Sequence, residues 1–385
     1  MSGASGRRSP RRDSEAVKTI AGADRAAEGN GTHFGPAYRR PLEGPITILA
    51  YSSNEGTFPD APHENSPGAA PSGASRELTC SVVVCTRDRL EWLQKCLQAV
   101  SRLDYPHFDL VVVDSASKDS RVQEIAQRFG ARYLREPRPG LSRARNRGAT
   151  ACQTDIVAYL DDDSIPEPTC LSHLVLGFAD PQVMAVVGRT VPLSLETEEE
   201  RLCASMNGYG ISRPWLVVDR QTPCWFEMAN FGGIGDGGNM AFRRSAFDVW
   251  PGFDERLGRG APMLTGEEHN AFFSLLERGY RVVHAPDAIA RHPYPRTLKE
   301  LRTRHIKTLS GTAGYFTMQF IEQPRYRRAT FKYVLEALKG TPRAWRYHAQ
   351  SPQQQIIPRW RAGLAMLTGP VLYLWACVTR GAHRR

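Results

Sequence analysis

The sequence lacks the cysteine patterns of a disulfide-stapled or zinc-binding protein. Its 385 residues include eight cysteines, but none belongs to a C-x-x-C pair or to a zinc-like spacing. Several lie inside apolar runs, where a free thiol behaves as a small hydrophobic side chain. We therefore expect a reducing compartment and no disulfide framework. Paired arginines at 7–8 and 11–12 are not followed by the apolar segment of an export signal, so we also expect no cleaved leader.

Most of the chain has no large excess of positive or negative side chains. Residues 1–78 carry 9 basic and 9 acidic side chains, residues 79–290 carry 23 and 28, and residues 291–385 carry 18 and 3. The formal net charge of +10 therefore originates in the C-terminal quarter, whose own excess is +15. Such a segment predicts a polyanionic partner. Since no nucleic-acid-binding motif accompanies it, we expect an anionic membrane surface and no nucleic acid.

Composition divides the chain into three parts. Residues 1–78 are dominated by glycine, alanine, serine, proline and charge, with one short apolar run at 46–51. This composition favours a mostly disordered N-terminal extension, with a loosely docked one as the alternative. Residues 79–295 have the pattern of a folded α/β domain, and residues 296–385 are expected to form a basic helical region associated with a membrane.

Three short runs rich in β-branched residues predict the centre of a sheet. They are residues 81–85, 110–113 and 156–160, and continuous apolar runs of this kind suit strands buried on both faces. Apolar residues recur at helical spacing between the first and second runs, and again between the second and third. Alternating strands and helices predict an α/β fold with an open, mainly parallel sheet flanked by helices.

Acidic residues follow each of these runs. Asp88, Asp114 and the triplet Asp161, Asp162 and Asp163 are expected at the carboxyl ends of the strands, the edge where open α/β sheets bind ligands. A single aspartate there can instead cap the following helix, and the triplet can be a solvated turn. Along an extended backbone the first and third carboxylates of the triplet share a side. Such a pair suits a hard divalent cation, Mg²⁺ or Mn²⁺.

Seven motifs together resemble one enzyme family. In chain order they are VVVCTRDR (82–89), VVVDSASKD (111–119), PGLSRARNRG (139–148), YLDDDS (159–164), GGIGDGGNMAFRRSAF (232–247), PGFDERLG (251–258) and TGEEHNAFF (265–273). Over roughly residues 79–292 their order and spacing are similar to those of the inverting glycosyltransferases of family 2. The resemblance implies the Rossmann-like GT-A fold and a nucleotide-sugar donor.

The resemblance also implies site residues. Donor-binding roles fall on seven positions: Thr86, Arg87, Asp114, Arg145, Asn146, Asp161 and Asp162. Asp161 and Asp163 correspond to the DxD metal motif, with Asp163 the direct ligand. The general base corresponds to Glu268, with its neighbour Glu267 as the alternative. His292, which follows an apolar strand-like run, is a candidate third metal ligand, although a lone histidine is more often an ordinary surface or core residue.

The base assignment has independent support in the residue pattern. Phe272, Leu275 and Leu276 form an apolar stripe that predicts a helix starting after Gly266, with the glutamates in its first turn. Acids at that position can also simply complement the helix dipole. An inverting transfer requires one base that deprotonates the attacking hydroxyl. The sequence therefore supplies a candidate base as well as a candidate metal site.

A glycine-rich segment, residues 233–238, satisfies the G-x-G-x-x-G dinucleotide pattern, but no buried β-branched strand precedes it. We expect its backbone to permit close approach of a sugar, with a flexible loop as the alternative. Four residues in or near this segment and the base are acceptor-site candidates: Gly237, Gly238, Asn239 and His269.

The basic C-terminal part carries two apolar helical patterns. One lies at 331–338, and the other is the uncharged run 362–378, which contains Tyr373 and Trp375 and is interrupted by Gly369 and Pro370. With 17 residues, this run is at the lower limit of about 17–25 for a spanning helix. We expect an interfacial or re-entrant helix on an anionic cytoplasmic leaflet rather than a buried core helix.

These observations predict an inverting, metal-assisted glycosyltransferase, peripheral or monotopic at the inner face of the cell membrane. Its acceptor would be a glycan or a lipid-linked molecule, in the synthesis of a cell-surface glycan, a glycolipid, or a cell-wall or other polysaccharide. A sugar nucleotidyltransferase and a non-catalytic nucleotide-sugar-binding membrane protein are the alternatives. The donor sugar and the oligomeric state are left open by the sequence.

Overall fold

The computed structural model describes residues 77–206, 214–230, 233–338 and 356–382. The strands in these ranges are β1 (Cys80–Thr86), β2 (Phe108–Ser115), β3 (Arg132–Glu136), β4 (Ile156–Asp161), β5 (Ile165–Pro166), β6 (Val183–Pro192), β7 (Leu216–Val218), β8 (Asn239–Arg243) and β9 (Arg281–His292). The predicted extension at 1–78 lies outside the described residues, except for its last two.

The α-helices of the described ranges alternate with these strands, and the last three follow one another after β9. They are α1 (Leu90–Val100), α2 (Arg121–Arg128), α3 (Leu141–Ala151), α4 (Cys170–Leu176), α5 (Glu198–Met206), α6 (Trp225–Ala229), α7 (Ala246–Val249), α8 (Glu267–Glu277), α9 (Leu298–Glu322), α10 (Arg327–Leu338) and α11 (Arg359–Ala382). A 3-10 turn, Pro324–Tyr326, joins α9 to α10.

The strands form one mixed sheet in the order β3-β2-β1-β4-β8-β6-β9-β5, and β7 adds to β9. The first four strands are parallel, whereas β8 runs antiparallel to both β4 and β6. Side chains of β1 point alternately into two apolar clusters, with Val83 in one and Val82 and Val84 in the other. The predicted α/β class, with its open and mainly parallel sheet, is therefore confirmed.

The pair β3 and α3 was not predicted as secondary structure. Strand β3 carries charged residues along RYLRE, and α3 has no apolar stripe in LSRARNRGATA. The helix instead buries small residues, and a Cβ added at Gly148 would lie only 2.6 Å from Cγ1 of Val83. Close packing of backbone on sheet replaces the hydrophobic periodicity that marks most helices.

The C-terminal helices pack on the domain. Helix α11 lies along α9, and a Cβ added at Gly369 would lie 2.5 Å from the carbonyl carbon of Ala313. Gly369 and Pro370 do not interrupt the helix, which continues through both residues; this expectation was wrong. Glycine at this point permits the two helices to approach each other. The helical C-terminal region is confirmed, while its separation as a domain at residue 296 stays a prediction.

All eight cysteines lie in the described part of the chain, and no disulfide joins any two of them. Six of them are buried, as expected for small hydrophobic side chains. The expectation of a reducing compartment stays a prediction.

Candidate active site

The parallel register brings the predicted site residues to one edge of the sheet. Thr86 at the end of β1 pairs with Asp114 of β2, and Cys85 pairs with Asp161 at the end of β4. Asp88 does not cap α1, since its carboxylate accepts a hydrogen bond from the backbone N–H of Lys118 at 2.7 Å. The strand ends therefore converge as the sequence predicted, because parallel strands finish at a common edge.

The acidic triplet is held by positive neighbours. Arg89 donates through Nη1 to Oδ1 of Asp162 at 2.8 Å and through Nη2 to Asp163. Thr86 Oγ1 donates to the other oxygen of Asp162 at 2.7 Å. His292 Nε2 lies 3.2 Å from Oδ1 of Asp163. Three adjacent carboxylates are tolerated here because cationic and donor groups surround them.

These neighbours move the pKa values of the triplet in different directions. Burial favours a higher pKa for Asp163, but the hydrogen bond and charge of His292, together with Arg89, hold that pKa well below its usual range. Burial raises the pKa of Asp162 to about 6, against the opposing charge of Arg89. Burial lowers the pKa of His292, but its bond to Asp163 outweighs this, so the net shift is upward.

Asp161, Asp163 and His292 fit a divalent metal ion. One ligand atom from each lies within 4.8 Å of the others. Two carboxylates with one imidazole form a donor set that suits Mn²⁺ or Mg²⁺. The Nδ1 atom of His292 is buried and has no hydrogen-bond partner among the described residues. The geometry thus brings together the three residues that the sequence proposed as ligands.

The two glutamates begin α8, whose N-cap is Gly266 in the left-handed region at φ +98°. Glu267 pairs with Arg145 at 3.1 Å between Oε1 and Nη1. Glu268 Oε2 is buried without a hydrogen-bond partner among the described residues, and Oε1 lies 3.7 Å from Nε2 of His269. Only one of the two adjacent carboxylates is therefore committed to a cation.

Burial dominates the pKa values of this pair. It raises the pKa of Glu267 to about 8, with a further upward contribution from the charge of Glu268, against the lowering effect of Arg145. Burial likewise raises the pKa of Glu268. Burial lowers the pKa of His269 to about 4, so its imidazole is neutral at pH 7. A carboxylate with a raised pKa and one oxygen without a hydrogen-bond partner is suited to accept a proton.

Arg145 connects the triplet to the glutamates. Its guanidinium, only 2% exposed, also donates to Asp161 Oδ1 at 3.3 Å and to the carbonyl of Gly237 at 2.7 Å. A Cβ added at Gly237 would lie 3.2 Å from this guanidinium, and one at Gly238 would lie 3.3 Å from a carboxylate oxygen of Asp161. These glycines make room for protein side chains of the site, whereas the sequence suggested room for a sugar.

Asp114 occupies the fully buried end of β2. Its Oδ1 accepts from the N–H of Ser117 at 2.7 Å, and its Oδ2 accepts from Tyr133 Oη at 2.7 Å and from Arg135 Nη1 at 2.6 Å. The Arg87 side chain is about half exposed beside Asp88. Both residues lie at the predicted donor edge, and Tyr133 and Arg135 of β3 join them there.

Two residues with predicted ligand contacts, Asn146 and Asn239, are hydrogen-bonded to the protein itself. The Asn146 amide makes two hydrogen bonds to the backbone of Phe253, each 2.8 Å long. Its Nδ2 donates to the carbonyl of Phe253, and its Oδ1 accepts from the N–H of Phe253. Asn239 is fully buried and donates through Nδ2 to the carbonyl of Ala288 at 2.8 Å. Both asparagines therefore hold the protein backbone, and their roles toward a ligand stay predictions.

Arg89 and Asp236 belong to the site but were not singled out from the sequence. Asp236 accepts from Thr190 Oγ1 at 3.0 Å and from the N–H of Gly238 at 2.9 Å, and burial raises its pKa. The signal for Arg89 was its place in the TRDR segment directly after β1. Asp236 was concealed by the glycines around it, which suggested a flexible loop.

Comparison with known proteins places this site in context. Residues 81–250 match the family described as glycosyl transferase family 2. An N-acetylglucosaminyltransferase of Rhizobium meliloti (strain 1021) is 27% identical over 251 residues, which cover 61% of this chain and 55% of that protein. A pre-mycofactocin glycosyltransferase of Mycobacterium tuberculosis (strain H37Rv) is 29% identical over 239 residues, covering 60% and 46%. The chain spans about half the length of these curated relatives.

A third relative is the glucosyl-dolichyl phosphate glucuronosyltransferase of Haloferax volcanii, 27% identical over 227 residues that cover 56% of this chain and 69% of that protein. Among solved structures, the mannosyltransferase of Pyrobaculum calidifontis in complex with GDP-Man and Mn²⁺ superposes with a TM-score of 0.49 at 18% identity. That superposition covers 77% of this chain and 87% of the other.

Proposed function

The chain belongs to glycosyltransferase family 2 through its residues 81–250, and on this premise we propose an inverting transfer of a sugar from a nucleotide diphosphate to an acceptor hydroxyl. One observation carries the proposal. A cluster fit for a divalent metal, Asp161 with Asp163 and His292, shares the carboxyl edge of the sheet with the carboxylate of Glu268, whose buried Oε2 has no hydrogen-bond partner among the described residues. Metal-assisted departure of a diphosphate and proton removal from an alcohol require these two elements.

The donor is proposed to bind along the ends of β1, β2 and β4. Thr86, Arg87 and Asp114 would hold the nucleoside, as the family resemblance implies, with Tyr133 and Arg135 fixing the carboxylate of Asp114. A divalent ion held by Asp161, Asp163 and His292 would supply positive charge against the diphosphate oxygens. Because the surrounding carboxylates are negative, the diphosphate requires that charge in order to approach them.

Glu268 is the proposed general base. It would take the proton of the acceptor hydroxyl while the acceptor oxygen bonds to the anomeric carbon. The bond from that carbon to the diphosphate oxygen breaks on the opposite face, which inverts the configuration. The pairing of Glu267 with Arg145 supports Glu268 over its neighbour, because the guanidinium already occupies a carboxylate oxygen of Glu267.

The named relatives indicate the substrate class. They transfer N-acetylglucosamine, glycosylate pre-mycofactocin, or act on a dolichyl-phosphate-linked sugar, according to their names. We propose a glycan or lipid-linked acceptor for this chain, in cell-surface glycan synthesis.

The C-terminal helices are the proposed membrane contact. Within the described ranges one helix, Arg359–Thr379, is long and apolar enough to cross a membrane. One face of α11 packs on α9, and the other exposes a continuous apolar stripe, comprising Trp360, Leu364, Leu367, Val371, Leu374, Trp375 and Val378. Arg359 and Arg361 lie at its first turn. An apolar face beside cationic side chains fits the surface of an anionic cytoplasmic leaflet.

Transfer itself is the test of the proposed activity. The purified full chain would be incubated with UDP-GlcNAc, GDP-mannose and other nucleotide sugars, with Mn²⁺ or Mg²⁺ and lipid-linked or glycan acceptors. We expect release of the nucleoside diphosphate and a product of inverted anomeric configuration by NMR. Pyrophosphate release from a nucleoside triphosphate and a sugar 1-phosphate would instead identify a nucleotidyltransferase. Donor binding without transfer or hydrolysis would identify a binding protein.

Vesicle binding tests the membrane contact. The double variant Leu367→Glu, Val371→Glu places two charges on the exposed stripe without touching the α9 interface, because these side chains are 74% and 65% exposed. Each apolar side chain contributes roughly 1.5–3 kcal/mol when buried, so binding to anionic vesicles should fall at least about 100-fold. Leu176→Glu is the matched control, since Leu176 on α4 is 61% exposed. Equal vesicle binding by the double variant and wild type would contradict this contact.

A further inference from the structure

Tyr315 of α9 lies against the start of the base helix. Its side chain is fully buried, and a Cβ added at Gly266 would lie 2.9 Å from its Cδ2 atom and 3.0 Å from Cγ. Gly266 is the N-cap of α8, so the aromatic ring covers the residue from which the helix carrying Glu267 and Glu268 starts. Tyr315 itself lies 65 residues beyond the segment that matches the family, 81–250.

The hydroxyl of Tyr315 ties a second element to the same point. It donates to Oδ1 of Asn230 at 2.5 Å and accepts from Nε2 of Gln319 at 2.8 Å. Asn230 follows α6 and in turn donates through Nδ2 to the carbonyl of Phe226 at 2.7 Å. One buried side chain therefore fixes α9, the end of α6 and the start of α8 relative to one another.

The first turn of α8 is held by the pair of Glu267 with Arg145, but it lacks a side-chain cap. The N-cap of the helix is a glycine, the residue with the greatest backbone freedom. One helical turn before Tyr315, Gly311 packs on the preceding residue of the same loop, where an added Cβ would lie 2.5 Å from Cγ2 of Thr265. Packing by α9 thus substitutes for the missing cap over Thr265 and Gly266.

We infer that Tyr315 is a positioning residue for Glu268, holding the first turn of α8 so that the carboxylate faces the reacting hydroxyl. This inference rests on the proposed function of Glu268 as the base. Glu268 is the second residue of α8, and a rotation of that first turn moves its carboxylate directly. A misplacement of about 1 Å at a reacting group lowers the rate by up to about 100-fold.

Loss of the hydroxyl alone should leave α9 docked. Near its end, Glu322 pairs with Arg256, whose Nη2 donates to Oε2 at 2.9 Å, and Arg256 also pairs with Asp254 in the loop that follows α7. The ring of a phenylalanine at position 315 would still cover Gly266. The substitution Tyr315→Phe therefore removes the link to Asn230 while the helix keeps its second anchor.

Kinetics and hydrogen exchange of the full chain together test the inference. Tyr315→Phe should lower kcat by about 10-fold, and Tyr315→Leu by about 100-fold, with KM for the nucleotide sugar changed less than about twofold. Amide exchange in a peptide covering residues 263–274 should rise in both variants. Tyr373→Phe is the matched control, because it deletes another buried hydroxyl of the C-terminal helices, which donates to Glu322 at 3.0 Å and has no contact with α8.

Each outcome is decisive. Unchanged kcat and unchanged exchange in Tyr315→Phe would overturn the inference, even if Tyr315→Leu does not fold. An equal fall of kcat in Tyr373→Phe would also overturn it, since that pattern reports a general loss of stability. A wild-type chain without transfer activity would overturn the proposed function, while the exchange measurement would still show whether Tyr315 holds the start of α8.

Discussion

The acidic triplet at the end of β4 and the glutamate pair at the start of α8 are two sets of adjacent carboxylates in one site, yet their surroundings differ. Asp163 receives His292 and Arg89, which hold its pKa well below the usual range despite burial. The glutamate pair has one cation, Arg145, which pairs with Glu267 and not with Glu268, and burial raises the pKa of Glu267 to about 8. Asp163 of the first set therefore stays charged, whereas the second set is suited to gain or lose a proton.

Arg145 is the element common to both sets. It lies 3.3 Å from Asp161 and 3.1 Å from Glu267, and its guanidinium is fully enclosed. A planar guanidinium can serve two carboxylates at once in a fixed geometry, which a lysine ammonium cannot reproduce. The contrast between the two acidic sets therefore depends on a single buried side chain as well as on their separate neighbours.

The largest expected effect is that of Asp163→Asn, which removes the carboxylate charge of Asp163 from the acidic triplet. Transfer should fall by about 10⁴-fold, since a metal ion supplies several kcal/mol of transition-state stabilisation, and Mn²⁺ binding measured by isothermal titration should be lost. Asp180→Asn, at a surface pair with Arg281, is the control and should keep both. Mn²⁺ affinity equal to that of wild type would remove Asp163 from the metal site.

Glu268→Gln breaks the proton-accepting set. Transfer should fall by about 10³-fold, within the range for loss of a general base, and the dissociation constant of the nucleotide sugar should stay within about twofold. In wild type, kcat should fall as the pH drops through the raised pKa of Glu268, because the base must be ionised. Stopped assays between pH 5 and 9 measure this. Retained turnover in Glu268→Gln would refute the base assignment.

Arg145→Lys tests the connection between the two sets. A lysine keeps the charge but cannot reach Asp161 and Glu267 together, so transfer should fall by about 100-fold. Breaking a buried ion pair also costs about 3–5 kcal/mol of unfolding free energy, measured by urea denaturation. Arg143→Lys on the same helix, paired with Glu255 at 3.2 Å, is the matched control. Similar losses of activity and stability at both positions would contradict a specific role of Arg145 in connecting the two acidic sets.

The smallest effect on activity is expected for Glu267→Gln, with a loss below about 10-fold because Glu267 does not take the acceptor proton. Its main effect should be on how the free energy of unfolding depends on pH. The folded pKa of about 8 lies above the model value of 4.5, so wild type binds more protons when folded. The stability that this carboxyl contributes is fully present below pH 4.5 and is lost as the pH rises to about 8, by at most about 1.4 kcal/mol per pH unit.

Thermal unfolding of wild type and Glu267→Gln across pH 4–9 measures this difference. The neutral amide should flatten the decline between pH 4.5 and 8. Parallel curves for the two proteins would place the titrating group elsewhere and would leave the two acidic sets without the proposed contrast.

Prediction from the sequence was most successful where the residue pattern is local. The runs that form β1, β2 and β4 are continuous and apolar, so their burial and their common edge followed directly. It was least successful for β3 and α3. Strand β3 consists largely of charged residues, and α3 packs on the sheet through Gly148 instead of an apolar stripe. Propensity and periodicity have no signal for such packing, which depends on the partner surface.

Neighbouring residues in a motif also diverge in space. Successive residues of a helix point about 100° apart, so Arg145 faces the acidic edge while Asn146 binds the backbone of Phe253. The same rotation separates Glu267, which pairs with Arg145, from Glu268, which does not. A motif therefore identifies the segment that reaches a site, but the helix orientation selects the residue.

By itself, the sequence determined the α/β class, the acidic edge, the base segment and the basic C-terminal quarter, because each depends on neighbouring residues and on rules of strand and helix geometry. The tertiary structure alone decided which carboxylates have cationic partners, that His292 approaches Asp163 across 129 residues, and that Tyr315 covers the start of α8. These contacts join residues far apart in the chain, and the pKa of a buried group is set by whatever the fold brings within a few ångströms of it.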